Sequence, residues 1–362
     1  IVEDALSRGV PPERIAYLAF TRKAANEAKD RAMEQFGFDE ARFPYFRTLH
    51  SLAFRQLGLQ RDEIMTNAHY RKLGKALGVE FKGIYDENLA LHTGDGLGDK
   101  CSRVESLARV GLRSIEQQYN MQSVNELSLH AVNQYDASLR RYKKENGLLD
   151  FTDMLEQYTA PPPVDICIFD EAQDLSSLQY KMAICTSSEA KEVYIAGDDD
   201  QAIFGWAGAD VSKFLSLKGD KLTLPQSFRV PRSVHKIALE IVSRIKHRYK
   251  KPWSPKLDQG HVEHISDEQQ IDFSGEGTWL CMARSKYMLN RLQQVACQQG
   301  FSYSYNGNDS LNSEETRAII SWESLRKKSG ITMYEARNII KFLGFNVTLS
   351  KKEKYFVSDL GL

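Results

Sequence analysis

Two short acidic stretches each follow an apolar run that predicts a buried strand. Asp170 and Glu171 come directly after residues 165–169, and residues 197–201 (Gly-Asp-Asp-Asp-Gln) come directly after residues 192–196. Carboxylates at the carboxyl ends of neighbouring parallel strands lie where open α/β sheets bind ligands. A strand that ends in Asp-Glu can present one carboxylate to Mg²⁺ and a second to a water molecule. The chemistry indicated is the hydrolysis of a nucleoside triphosphate.

Strands and helices alternate in the part of the chain that precedes these stretches. Residues 15–21 predict a buried strand, residues 23–36 a helix, residues 44–48 a short strand and residues 50–57 a helix. This order is typical of a parallel sheet with helices on its faces, so the predicted fold class is α/β. Residues 58–148 lack strong strand patterns and predict a helical insertion.

A second alternation of strands and helices is predicted after residue 225. Strands are predicted at residues 262–265, 278–283 and 301–305, and helices at residues 233–247, 286–299, 313–327 and 333–343. A chain of 362 residues is long enough for two or three hydrophobic cores.

Composition restricts the class of protein. The chain is 42% hydrophobic and 27% charged, which is typical of a globular protein, and no apolar run approaches the roughly 18 residues of a membrane helix. Five dispersed cysteines favour a reducing, cytoplasmic location and argue against a cysteine metal site. Basic and acidic residues balance at 48 each, so net charge does not decide whether nucleic acid binds.

Six short segments then occur in a fixed order along the chain. They are residues 20–25 (F-T-R-K-A-A), 48–51 (T-L-H-S), 150–155 (D-F-T-D-M-L), 170–174 (D-E-A-Q-D), 197–209 (G-D-D-D-Q-A-I-F-G-W-A-G-A) and 226–229 (Q-S-F-R). Together they resemble the motifs of the UvrD/Rep branch of superfamily 1 DNA helicases. The resemblance implies RecA-like P-loop NTPase cores that use ATP and Mg²⁺ to move 3′ to 5′ along single-stranded DNA and unwind duplex junctions.

The resemblance also implies a role for each residue of the nucleotide site. Asp170 would hold Mg²⁺, and Glu171 would orient and deprotonate the attacking water. Gln201 would sense the γ-phosphate, and Arg229 would act as an arginine finger. Without the resemblance, Arg229 is more simply a surface salt-bridge residue.

Six residues are candidates for contact with DNA. They are Phe20, Thr21, Thr48, His50, Phe204 and Trp206. The aromatic side chains would stack on bases, which ignores base sequence and suits a translocating motor, and the polar ones would hold phosphates. Phe20 is equally consistent with a core position, and His50, taken alone, is more simply a helix-start histidine. The basic residues 140–144 and 246–253 are either nucleic-acid surfaces or solvated faces.

The resemblance divides the chain into domains. Residues 1–57 and 149–224 would form the first RecA-like core, residues 58–148 its helical insertion, residues 225–328 an incomplete second core, and residues 329–362 the start of a second accessory insertion. DNA-repair or replication proteins are further candidate partners, in a bacterial cell or one infected by a phage.

Two features depart from the family. No G-x-x-x-x-G-K-[ST] segment, the loop that cradles phosphates, occurs in the sequence, and Ala207 stands where the family usually has Arg. The chain also starts without Met, in what reads as a helix. We therefore expect an internal fragment that neither binds ATP tightly nor unwinds DNA by itself. The alternatives are the helicase part of a helicase–nuclease and a non-catalytic DNA-binding relative.

Overall fold

The computed structural model describes residues 1–87, 89–122, 127–305, 307–312, 314–343, 349 and 354–356. The chain divides into two compact units, residues 1–260 and residues 261–362. The helices of the first unit are α1 (Val2–Ser7), α2 (Arg22–Phe36), α3 (Leu49–Gln56), α4 (Asn67–Leu77), α5 (Leu97–Val110), α6 (Ile115–Met121), α7 (Leu129–Asn146), α8 (Phe151–Gln157), α9 (Ser177–Thr186), α10 (Val211–Leu215) and α11 (Arg232–Val242). Its strands are β1 (Ile15–Ala19), β2 (Phe46–Thr48), β3 (Tyr85–Asp86), β4 (Leu91–His92), β5 (Ile166–Phe169) and β6 (Glu192–Ile195).

Four parallel strands form the central sheet of the first unit, in the order β2-β1-β5-β6. The register places Leu18 of β1 beside Phe169 of β5, and Phe169 beside Ile195 of β6. Because the strands are parallel, their carboxyl ends all lie at the same edge of the sheet. The predicted α/β class and the predicted strands and helices of residues 15–57 are confirmed, with boundaries that differ by one or two residues.

Helices cover both faces of this sheet. Successive residues of a strand point to opposite faces, so Ile166 and Ile168 of β5 pack with Ala5 of α1 and Ala32 of α2. The alternate residues of β5 belong to the larger cluster on the other face, which includes side chains of α3, α8 and α9. All four β5 residues are buried, which explains why the strand is a continuous apolar run in the sequence.

The strand β6 lies at the edge of the sheet. Its side chains Val193 and Ile195 are 44% and 41% exposed. The strand predicted at residues 192–196 is therefore present, but the prediction that it is buried is wrong. The reason is that the described residues leave one face of this edge strand uncovered, which a local sequence pattern cannot show.

Residues 58–148 consist mainly of the helices α4 to α7, as predicted, with one short antiparallel pair, β3 and β4. A group of charges, all but Glu156 largely buried, connects this region to α8. Arg109 of α5 and Lys143 of α7 lie among four carboxylates, those of Glu105, Asp150, Asp153 and Glu156. Arg109 binds all four, and Lys143 binds Asp150 and Asp153. In this "interior charge group", four carboxylates meet two cations.

The second unit contains α12 (Leu289–Gln298), β7 (Ser304–Tyr305), β8 (Asn308–Asp309), α13 (Glu314–Arg326) and α14 (Met333–Leu343). The helices predicted here are confirmed in position. The strands predicted at residues 262–265 and 278–283 are wrong, and that at 301–305 is reduced to β7. A strand requires a neighbour for its backbone groups, and the described residues supply none at the first two places; Leu280 and Met282 are 81% and 79% exposed.

No helix in the described ranges combines the length and the apolar character that crossing a lipid bilayer requires.

Candidate active site

Asp170 and Glu171 stand at the carboxyl end of β5. The backbone N–H of Asp170 donates to the carbonyl of Leu18, which continues the sheet ladder to this position. The hydroxyl of Tyr17 donates to Asp170 Oδ2 over 2.5 Å, and the N–H of Glu171 donates to Oδ1 over 3.1 Å. Burial, and then the hydrogen bond to Asp170, raises the pKa of Tyr17, so its hydroxyl remains a donor at neutral pH. Both oxygens of Asp170 are thereby fixed by neutral donors.

Glu171 has an unusual backbone conformation. Its φ is +53°, in the left-handed region that non-glycine residues rarely adopt. The residue is exposed and begins the short helical turn Ala172–Asp174. A left-handed residue at the end of a strand turns the chain sharply and is retained where the surrounding structure holds it. Here it places the Glu171 carboxylate in solvent directly beside Asp170.

Gln173 connects Glu171 to the second acidic stretch. Its side-chain nitrogen donates to Glu171 Oε2 over 2.8 Å and to Asp174 Oδ2 over 3.2 Å. Its side-chain oxygen accepts from the backbone N–H of Asp198 over 3.0 Å. Burial, and then the charge of Glu171, raises the pKa of Asp174 to about 6. Sequence reasoning missed Gln173, although an amide between carboxylates in the segment 170–174 is visible in the sequence.

Gln201 lies in the second stretch, in the turn Asp199–Gln201 after β6. Its side-chain nitrogen donates to Asp198 Oδ2 over 2.6 Å, and the side chain is exposed. The parallel pairing of β5 and β6 therefore brings Gln201 to the same edge of the sheet as Asp170 and Glu171, as predicted from their positions after the two strands.

The three aspartates of this stretch are paired with basic residues. Their carboxylates approach within 4.8 Å of one another, and Lys251 Nζ lies 2.8, 2.5 and 2.9 Å from Asp198, Asp199 and Asp200. Arg248 makes two hydrogen bonds to Asp200, over 2.7 and 2.6 Å. Two of the cations in the basic segment 246–253 are thus bound within the protein, a role that neither interpretation of that segment anticipated.

Three of the proposed DNA-binding residues line one small cavity of about 20 Å³, roughly the space of one water molecule. The rings of Phe20 and Phe204 lie 5.3 Å apart, and His50 forms part of the same wall. The Nε2 atom of His50 is buried and has no hydrogen-bond partner among the described residues, and the same is true of Oδ1 of Asp174, which also lines the cavity. Burial, and then the charge of Arg22, lowers the pKa of His50 to about 4.

The two threonines of the DNA-binding set cap helices. Thr21 precedes α2, and its hydroxyl oxygen accepts from the N–H of Ala24 over 3.2 Å. Thr48 precedes α3, and its hydroxyl oxygen accepts from the N–H of Ser51 over 3.2 Å. Each hydroxyl keeps its own proton for donation to another acceptor. Thr21 is exposed, whereas Thr48 is only 7% exposed.

Trp206 lies outside the cavity wall, in the turn Gly205–Ala207, and is 61% exposed. The next residue, Ala207, is buried against Leu107 and Val110 of α5.

Arg229 is exposed, and within the described residues its guanidinium makes no hydrogen bond or ion pair. Its backbone N–H donates to the hydroxyl of Ser227 over 3.3 Å. The structure therefore does not join Arg229 to Asp170 or Glu171, unlike Gln201, whose stretch is connected to them through Gln173.

The residues at the sheet edge fit one part of a magnesium nucleotide. Asp170 offers carboxylate oxygens, the ligands that Mg²⁺ prefers, and Glu171 offers an adjacent exposed carboxylate. Neither carboxylate is paired with a basic side chain in the described residues. The glycine-rich loop that would cradle the phosphates has no counterpart in this sequence. Asp170 and Glu171 therefore fit a Mg²⁺ ion and the attacking water molecule, which are only part of the complete site.

Comparison with known proteins identifies the family. The family model of the UvrD/REP helicase N-terminal domain matches residues 1–221. The chain is 25% identical over 287 residues to the ATP-dependent DNA helicase Rep of Buchnera aphidicola, which covers 72% of this chain and 41% of that protein. It is 26% identical over 279 residues to the putative ATP-dependent DNA helicase YjcD of Bacillus subtilis, covering 70% and 35%, and 25% identical over 300 residues to PcrA of Staphylococcus aureus, covering 74% and 39%. The chain spans about two fifths of the length of these curated relatives. Its parallel sheet is that of a RecA-like core, and the chain belongs to the UvrD/Rep helicase family.

Proposed function

We propose that the complete gene product is an ATP-dependent DNA helicase that moves 3′ to 5′ along single-stranded DNA. The observation that supports this most is the arrangement at one edge of the sheet. Asp170 and Glu171 follow β5, and the cavity lined by Phe20, His50 and Phe204 lies at the ends of β1 and β2. A hydrolytic carboxylate pair and an aromatic cavity on adjoining strands suit a motor that couples hydrolysis to DNA contact.

In the proposed nucleotide site, Asp170 holds Mg²⁺ and Glu171 accepts the proton of the attacking water. Bound Mg²⁺ would neutralise charge on the phosphate oxygens. Gln201 contacts the γ-phosphate through its exposed amide, and Arg229 supplies positive charge to the transferred phosphoryl group. The free guanidinium of Arg229 in the described structure supports this assignment, because no internal carboxylate already neutralises it.

In the proposed DNA site, Phe20, Phe204 and Trp206 stack on bases. His50 is neutral at pH 7 because its pKa is about 4, so its contact with DNA is a hydrogen bond and not an ion pair. The free hydroxyl protons of Thr21 and Thr48 donate to phosphate oxygens. Phe20, Phe204 and His50 lie together in one wall, which supports their assignment to one site.

The same proposal covers cellular context. The relatives are named DNA helicases of bacteria, which supports a cytoplasmic enzyme that acts on duplex junctions with repair or replication proteins. Because the 362 residues contain no phosphate loop, we expect them alone to show no tight ATP binding and no unwinding.

The proposal is tested by ATP hydrolysis and strand separation with the complete gene product. We expect hydrolysis that single-stranded DNA stimulates, and unwinding of a duplex with a 3′ tail but not of one with a 5′ tail. Unwinding only from the 5′ tail would contradict the polarity. DNA binding with no hydrolysis would leave the non-catalytic alternative.

Arg229 provides a sharper test, since its role is the least supported by contacts. Arg229→Ala should lower the turnover of ATP by roughly 10³–10⁵-fold, because charge builds on the phosphoryl group in the transition state. Arg232→Ala, an exposed arginine three residues later, is the matched control and should leave turnover unchanged. Equal turnover in the two variants would remove Arg229 from the site.

A further inference from the structure

Gln173 is the one buried amide that connects the proposed catalytic carboxylate with the second acidic stretch in the described residues. It is 1% exposed. One end of the amide donates to Glu171 and Asp174, and the other accepts from the backbone of Asp198. Both polar atoms of the side chain thus make hydrogen bonds. Their partners lie in the two acidic stretches, residues 170–174 and 197–201, that form the proposed nucleotide site.

We infer that Gln173 is a positioning residue for hydrolysis, which holds the Glu171 carboxylate in a fixed place relative to residues 198–201. The inference rests on the proposed function and deepens it. Glu171 is exposed, and a glutamate side chain in solvent samples several rotamers. A 2.8 Å bond to an immobile amide selects one of them, and misplacement of a reacting group by about 1 Å can cost on the order of 10²-fold in rate.

The chemistry of the position requires an amide. Glu171 and Asp174 both accept from the side chain, whereas the N–H of Asp198 donates to it, and a primary amide offers two N–H donors and an acceptor oxygen on one planar group. A glutamate at residue 173 would place a third carboxylate against the other two. A hydrocarbon side chain would leave the partly buried N–H of Asp198 without this acceptor, which would lower stability.

Gly197 gives an independent sign that the structure is built around this amide. A Cβ atom at residue 197 would lie 2.6 Å from Oε1 of Gln173 and 2.9 Å from the ring of Phe214. Contacts this short require a shift of the neighbour, so residue 197 has no room for a side chain while Gln173 keeps its place. A substitution at residue 197 can therefore displace the amide without altering any of its own atoms.

The test compares Gln173→Met with Gln118→Met in the complete gene product. Methionine has nearly the volume of glutamine but neither donates nor accepts strongly. Gln118 is an equally buried glutamine, 5% exposed, whose oxygen accepts from Arg113 in the helical region. Steady-state hydrolysis of ATP with saturating single-stranded DNA gives kcat and KM, and thermal unfolding reports stability. We expect Gln173→Met to lower kcat at least tenfold with KM for ATP within about twofold, and Gln118→Met to change neither.

A second variant separates positioning from loss of folding. Gly197→Ala should lower kcat by a similar factor in the wild-type background. In a Gln173→Ala background the same change should lower kcat by a smaller factor, because the Oε1 atom of Gln173 that the new Cβ would displace is absent. A kcat for Gln173→Met within twofold of wild type, or equal losses from Gly197→Ala in both backgrounds, would overturn the inference. If the wild-type protein itself does not hydrolyse ATP, the proposed function fails, and this inference fails with it.

Discussion

The interior charge group around Arg109 and the sheet edge around Glu171 both gather carboxylates, but the groups that bind these carboxylates differ. In the interior, every carboxylate is bound by Arg109, and two are also bound by Lys143. At the edge, neutral donors hold three carboxylates, since Tyr17 binds Asp170 and Gln173 binds Glu171 and Asp174. The three aspartates of the second acidic stretch, 198–200, are paired with Lys251.

This difference distinguishes carboxylates that stabilise the fold from carboxylates that remain able to bind a ligand. A carboxylate that a protein cation neutralises in the interior contributes to one fixed geometry, and removal of the cation leaves an uncompensated buried charge. A carboxylate held by a hydroxyl or an amide is fixed in place but keeps its charge, so it can still attract a metal ion or a proton. Substitutions in the two regions test this distinction, and their expected effects on the free energy of unfolding decrease from Arg109 through Glu105 and Lys251 to Glu171.

The largest effect should come from the loss of the central cation. Arg109→Met leaves Asp150 and its buried neighbours without their shared partner and should destabilise the protein by about 3–5 kcal/mol in urea unfolding. Arg140→Met is the control, because Arg140 is 61% exposed and, in the part of the chain that the structure describes, pairs only with Asp136 on the same helix. That change should cost less than about 0.5 kcal/mol. Similar losses in the two variants would erase the distinction between interior and surface charge.

The interior charge group contains more carboxylates than cations. The second prediction, on the pH dependence of stability, follows from this imbalance. Burial raises the pKa of Glu105 to about 7, and the partly compensating charge of Arg109 does not restore it. The folded protein therefore keeps this proton when the unfolded chain has lost it. The contribution of Glu105 to stability falls as pH rises from about 4.5 to 7. Glu105→Gln should be more stable than wild type at pH 8, by on the order of 1–3 kcal/mol.

The measurement is the difference in unfolding free energy between Glu105→Gln and wild type from pH 4 to 8. The difference cancels groups that titrate alike in both proteins, such as His50 and His92, whose pKa values are lowered to about 4 by burial and whose contribution to stability has the opposite sign. A difference that does not grow between pH 5 and 8 would show that Glu105 is ionised in the folded state.

Sequence reasoning succeeded where the structure depends on neighbouring residues. The strand β5 is a continuous apolar run, and the acidic pair after it had to lie at the carboxyl end of a parallel strand. The same reasoning placed Gln201 at the same edge of the sheet. These positions follow from local pattern and from the direction of the strands alone.

It failed where the outcome depends on partners far away in the chain. The exposure of β6 and the missing strands at 262–265 and 278–283 depend on which elements cover or pair with them. The salt bridge between Arg109 and Asp150 joins residues 41 positions apart. The role of Lys251 on the three aspartates likewise could not be derived from the basic segment, because the segment's partner lies about fifty residues earlier.

The third prediction concerns Lys251, which is more exposed than Arg109 of the interior charge group but is bound to carboxylates as Arg109 is. Lys251 is 17% exposed and bridges three aspartates, so Lys251→Met should cost about 1–2 kcal/mol, less than the loss of Arg109 because solvent screens part of the charge. Lys250→Met changes an exposed neighbour that makes no ion pair in the described residues and should cost almost nothing. A loss of stability as large as that of Arg109→Met would mean that the three aspartates have the same structural role as the interior charge group.

The smallest effect on stability should come from the edge itself. Glu171→Gln keeps the shape of the side chain and removes a charge that no cation in the described residues pairs with, so the free energy of unfolding should change by less than about 0.5 kcal/mol. Hydrolysis of ATP, in contrast, should fall by about 10²–10⁴-fold, because the amide cannot accept the proton of the attacking water. Urea unfolding and steady-state hydrolysis on the same preparation give both numbers. A large loss of stability with little loss of turnover would assign Glu171 to the fold, and the sheet edge would then differ from the interior in exposure alone.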